Sequence, residues 1–146
     1  MCASVIYPIL LVGQAPGDPA CPRSQGRSTQ RFLRLLGLTP TAYQRLFHWQ
    51  NLLDSFPGKA GKGDAFPLAA ACVVAMTFPL APVTLLLGQR VAQAFHLPPV
   101  YFQWHAVRGC QVAVIPHPSG INHWWNTPAH RETFTRFMRA LLPDIS

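Results

Sequence analysis

The run SVIYPILLVG, from Ser4 to Gly13, carries no charge and breaks off abruptly in GQAPGDPACP. A strand with one wet face alternates polar and apolar residues. A continuous apolar run of strand length instead fits a parallel strand covered on both faces. Such a strand needs helices above and below it, so the rest of the chain has to supply them. RSTQRFLRLLGL predicts an amphipathic helix, with Phe32, Leu35 and Leu36 on one face, Arg27, Arg31 and Arg34 nearer the other, and a stop at Gly37. A short helical stretch around Tyr43 to Phe47 leads into HWQNLLDSFPG, read as a second strand running into a loop. GKAGKGDAFP reads as flexible and cationic, and LAAACVVAMTF fits a buried helix. PVTLLLG is the clearest central strand, and QRVAQAFHL is the helix after it. YFQWHAV and CQVAVIP flank Arg108-Gly109, the second being the last core strand. Thr127 begins a final helix with Phe134, Phe137, Met138, Leu141 and Leu142 toward the core.

Strands alternating with helices predict an α/β fold, a three-layer α/β/α sandwich with a central, mainly parallel sheet of about four strands. The length suits one domain over residues 1–146. In such sheets ligands bind at the carboxyl ends of the strands. The segments GQAPG, QNLL and HPSG all follow strands, so they converge on one crevice.

Charge narrows the partners. Twelve Lys and Arg stand against Asp18, Asp54, Asp64, Glu132 and Asp144, for a net charge of +7. That excess favours a polyanion, nucleic acid first. Cys2, Cys21, Cys72 and Cys110 form no C-x-x-C pair, so neither disulfides nor a zinc or iron–sulfur site is expected, and no metal or cofactor is invoked. The start lacks the positive region of a signal peptide, and no segment reads as a membrane span. The expected location is the cytoplasm, with nucleoid association in a bacterium, and the expected state a monomer. Gly58 to Lys62 fails as a phosphate-binding P-loop, because no Ser or Thr follows the lysine. Lys59 is left as either a nucleic-acid backbone contact or part of a solvated loop. His117 and Ser119 are too close in sequence for triad geometry, and no G-x-S-x-G elbow is present.

The stretches ILLVGQAPG, QGRSTQRFLRLLGL, LLLGQRVAQAF and VIPHPSGINHWWN, in that order, resemble the uracil-DNA glycosylase superfamily. In motif style the chain is most similar to the GEAPG-type and mismatch-specific groups, without an iron–sulfur cluster. The resemblance implies a DNA glycosylase that flips a nucleotide out of the helix and hydrolyses its base–sugar bond. His117 would meet the negative charge growing on the leaving base. Asn51 would read the base edge, since an amide both donates and accepts. Gly13 and Ala15 would complete the base pocket, and Gln14 with Asp18 would manage water. Pro16, Gly17, Lys59, Ser119, Gly120, Ile121, Asn122 and Trp124 would contact DNA, with Ser119 on a phosphate and Ile121 as a wedge. Trp124 and Trp125 either stack on bases or brace the final helix.

The chain departs from the pattern in three places. Ala15 stands where uracil-specific members carry Asp and mismatch-specific members Asn. Gln14 replaces a Glu, so it orients water without accepting its proton. Ser24 occupies the position of a base-stacking Phe, leaving Phe47 or Trp49 as the aromatic to supply that contact or to pack the core. A dissociative cleavage tolerates a weak water activator, at reduced rate. Uracil is the first expectation, and a more open pocket floor would suit a bulkier modified pyrimidine or a deaminated purine. The same crevice could also serve a non-catalytic module that binds double- or single-stranded DNA, or an enzyme acting on free nucleosides.

Overall fold

A computed structural model describes residues 6–14, 23–53, 59–60, 63–64, 67–118 and 122–142. In chain order the elements are β1 (Ile9–Gly13), α1 (Arg23–Leu36), α2 (Pro40–Leu46), β2 (Phe47–Asn51), β3 (Lys59–Ala60), β4 (Gly63–Asp64), α3 (Leu68–Thr77), β5 (Val83–Leu87), α4 (Gln89–Ala94), β6 (Trp104–Val107), β7 (Cys110–Ile115), a 3-10 turn (His123–Asn126) and α5 (Pro128–Arg139). The main sheet has the order β2-β1-β5-β7-β6. The first four are mutually parallel, and β6 runs antiparallel to β7 at the edge. The fold is therefore α/β with a mainly parallel sheet, as the apolar runs require.

The sheet has five strands rather than about four. The extra one is β6, whose residues alternate between exposed and half-buried because an edge strand leaves much of its surface wet. Its hairpin to β7 turns through Arg108 and Gly109, both with positive φ (50° and 79°), the signature of a two-residue type I′ turn. The first strand is shorter than its apolar run. It begins after Pro8, which has no N–H to give a ladder. Part of the segment expected to be flexible is paired, with Lys59 opposite Asp64 and Ala60 opposite Gly63.

Side chains from the central strands divide between two apolar layers. Ile9, Leu11, Leu85, Leu87, Ala113 and Ile115 pack under α1, α2 and α5, against Phe32, Leu36, Phe134 and Met138. Leu10, Val12, Leu86, Val112 and Val114 pack against α3 and α4, through Ala71, Ala75, Val91 and Ala92. This alternation makes the three-layer sandwich, and the one buried polar side chain of the central strands, Thr84 on β5, donates to the Ala81 carbonyl (2.9 Å) and accepts from the Ala81 N–H (3.1 Å). The Tyr7 hydroxyl donates to the carbonyl of Leu141 and ties the start of β1 to the end of the α5 layer.

One helix departs from its expected burial. Only Ala71 and Ala75 of α3 are buried, while Val73 and Met76 are 67% and 69% exposed. Small residues let α3 lie close to α4, and its larger apolar side chains face outward. Its carboxyl end is held by the Arg108 guanidinium, which donates to the carbonyls of Ala75 (3.0 Å), Met76 and Phe78 (2.7 Å). A cation there also opposes the negative end of the helix dipole. Replacing Arg108 by Ala should lower the free energy of unfolding by about 2 kcal/mol in urea titrations, with Lys recovering part of the loss. A loss below about 0.5 kcal/mol would contradict this role for the guanidinium.

Candidate functional site

The chain leaves β1 toward β2 on one side, whereas β5 and β7 lie on the other. The strand order thus reverses between β1 and β5, and sheets of this kind form their binding crevice beyond the carboxyl ends at such a point. Gly13 and Gln14 end β1, Asn51 ends β2, Gly88 follows β5, and His117 follows β7 after Pro116. Strand-like pairing continues past the strand ends and fixes these backbones. The N–H groups of Leu52 and Leu53 donate to the carbonyls of Gly13 (2.8 Å) and Gln14 (2.9 Å). The Gly88 N–H donates to Ile115 (2.8 Å).

Two glycines make this convergence possible. A Cβ on Gly13 would lie 2.6 Å from Asn51 Oδ1 and 2.8 Å from Trp49 Nε1, so only a bare backbone lets those side chains close over the end of β1. Gly88 has φ +98°, and a Cβ there would lie 3.3 Å from His117 Cβ and 3.8 Å from Gln14 Nε2. Gln14 and His117 therefore approach across the backbone of Gly88.

On β2, Phe47, Trp49 and Asn51 share a face by the two-residue period of a strand. Phe47 is buried and packs with Phe32 and Tyr43, so its role is in the core. Trp49 is half-buried, with its ring edge-on to Phe32 on one side and to His117 on the other, at 6.3 Å and 84°. Its Nε1–H donates to Asn51 Oδ1 at 3.0 Å. An indole N–H can only donate, so this bond settles which end of the Asn51 amide is oxygen.

The backbone of His117 is held between two buried prolines, Pro116 and Pro118. Its carbonyl accepts hydrogen bonds from Asn122 Nδ2 and Trp125 Nε1, both at 2.8 Å. Trp125 is 2% exposed and packs edge-on against Phe134 in the core. The imidazole is half-buried by surface area, and desolvation by the protein around it lowers its pKa from 6.5 to about 4. It is therefore neutral at pH 7, a form in which one ring nitrogen carries a hydrogen and the other does not.

Of the residues expected to form a site, Gly13, Gln14, Asn51 and His117 come together. Asn122 lies beside them, but its amide is engaged within the loop, donating to His117 and accepting from the Trp124 N–H at 3.1 Å. Trp124 packs against Tyr101, Phe102 and Trp125, and its ring stacks on His130 at 4.6 Å. The two adjacent tryptophans thus both brace the loop, Trp125 from the core and Trp124 from its margin. Ala15, Pro16, Gly17, Asp18, Ser119, Gly120 and Ile121 lie outside the described residues, as does the side chain of Lys59.

Sequence reasoning missed Gly88 and the contact between Trp49 and Asn51. The glycine that ends the LLLG strand signals the first, and the two-residue spacing of Trp49 and Asn51 the second. No protein-family model matches the chain, and no curated protein matches it. Among the described residues, no helix is long and apolar enough to cross a membrane.

Burial of neutral His117 links folding to pH. Between pH 6.5 and 4 the unfolded chain binds the proton and the folded chain resists it, so stability is full above pH 6.5 and falls as the pH drops toward 4. The full change is worth up to about 3 kcal/mol. Urea unfolding at pH 7 and pH 4.5 should show a steeper acid loss for the wild type than for His117→Gln. Equal losses would contradict the desolvated imidazole.

Proposed function

We propose that the protein is a monofunctional DNA glycosylase that hydrolyses the bond between deoxyribose and a flipped-out uracil or other deaminated or modified base. The observation that carries this reading is the meeting of Gln14, Asn51 and His117 in one crevice, with His117 desolvated and neutral at pH 7. Breaking the bond from C1′ to the base nitrogen leaves the electron pair on the base and positive charge on the sugar. A fixed N–H from His117, aimed at a base carbonyl oxygen, stabilises that leaving anion more than the neutral base. Water then gives its hydroxide to C1′ and its proton to the base. Gln14 orients that water through its amide. Because it cannot take the proton, the rate is expected to be modest.

Base choice follows from Asn51. With one lone pair of its oxygen already engaged by Trp49, its NH2 end is the group best suited to the base edge. A donor there favours the keto oxygen of uracil or hypoxanthine over the amino group of cytosine or adenine. Deaminated bases fit this chemistry.

The test uses oligonucleotides carrying uracil, hydroxymethyluracil or hypoxanthine, single-stranded and paired, with alkali-revealed strand breaks as the readout. His117→Ala should slow cleavage by about 10²- to 10³-fold while the protein stays folded. A second reading is favoured by one observation, the amide of Gln14 in place of a proton-accepting carboxylate. On that reading the crevice holds an extruded base without cleaving it. Tight binding of every substrate with no breaks would establish it and overturn the enzyme.

A further inference from the structure

Arg31 on α1 and Arg131 on α5 both engage Trp125. The Arg31 guanidinium carbon lies 5.1 Å from the centre of the indole ring, and Arg131 Nη1 donates to the Trp125 carbonyl at 2.6 Å. Arg34 comes one turn after Arg31 on α1 and is exposed. Among the described residues the Nη1 of Arg31 is buried without a hydrogen-bond partner, although its guanidinium belongs to a half-buried side chain. Glu132 is the one carboxylate with a described side chain, exposed on α5, and among the described residues no ion pair joins it to Arg31 or Arg34. Desolvation, and after it repulsion from Arg34 and Arg131, lowers the pKa of Arg31 below its ordinary value. Gathering cations in this way costs free energy unless an anion offsets the repulsion.

We infer that Arg31, Arg34 and Arg131 form a phosphate site on the α1–α5 side of the crevice, occupied by a phosphodiester of the DNA strand. The planar guanidinium fork matches two phosphate oxygens, and a phosphate against the accessible part of the half-buried Arg31 side chain would offset a charge whose Nη1 end is buried without a partner among the described residues. The site lies one indole away from the catalytic loop, because Trp125, beneath Arg31, donates its N–H to the His117 carbonyl. A phosphate held there would fix the strand relative to His117 without reading sequence. The DNA occupant rests on the glycosylase reading, whereas phosphate binding as such does not.

The experiment has two arms. Inorganic phosphate, with chloride at matched ionic strength as the control, should produce a saturable shift of the Trp125 indole N–H resonance. Arg31→Gln and Arg131→Gln should abolish that shift. Arg34→Gln, at an exposed position that leaves the core untouched, should weaken it, and Arg31→Lys should restore only part of it. In the second arm, the slope of log affinity for duplex DNA against log salt should fall by about 0.9 for each arginine removed. No saturable shift in the wild type, or salt slopes identical in all variants, would overturn the arginine site and leave the glycosylase reading standing. Phosphate binding lost in the variants, in a wild type that binds no DNA, would uphold the phosphate site and overturn both its DNA occupant and the glycosylase reading.

Discussion

The carbonyl of His117 accepts one hydrogen bond from the core indole of Trp125 and another from Asn122, and the rest of the crevice depends on that pairing. Trp125 packs on Phe134, and Phe134 on Phe32, so the loop after β7 is fastened to the α1–α5 layer. With its backbone held there and flanked by two buried prolines, the imidazole has little freedom. It stands against Trp49, whose other edge meets Phe32. Both ends of the histidine are thus referred to the same aromatic core. On the glycosylase reading, preorganisation of this kind would let a single N–H act on developing charge without first having to be ordered.

The crevice itself is made by backbone without side chains. Gly13 admits Asn51 and Trp49, and Gly88 admits His117 and Gln14. Each approach draws polar groups into a place where water is scarce, which costs stability and keeps the imidazole neutral. The five-stranded sheet tolerates that cost because its central strands bury apolar side chains on both faces. Such an exchange of stability for a polar, desolvated site is common where chemistry is done.

Much of this was legible in the residues, for identifiable reasons. The strands ILLVG and VTLLL are apolar apart from Thr84 because both faces are covered, and their ends are marked by glycine. The convergence of GQAPG, QNLL and HPSG was legible because parallel strands deliver the residues at their carboxyl ends to one side of the sheet, whereas Gln14, Asn51 and His117 were singled out within them by the resemblance of the motifs. Other features depend on which way a side chain points. The apolar helix α3 looks wholly buried in sequence, yet it buries only Ala71 and Ala75. Trp124 and Trp125 are adjacent and alike, and a 3-10 turn decides that Trp125 enters the core while Trp124 packs at its margin. The hydrogen bond from Trp49 to Asn51 and the placement of Arg31 over Trp125 arise from register and helix packing, which no local pattern specifies.

On the glycosylase reading, His117 and Asn51 meet one extruded base. The most direct measurement tracks the side-chain N–H signals of both residues by NMR as an oligonucleotide with a non-cleavable 2′-fluoro deoxyuridine is added. Saturable shifts at both side chains together, absent with an otherwise identical undamaged oligonucleotide, are the predicted result. Binding that leaves both signals unmoved, or moves them equally with undamaged DNA, would contradict it.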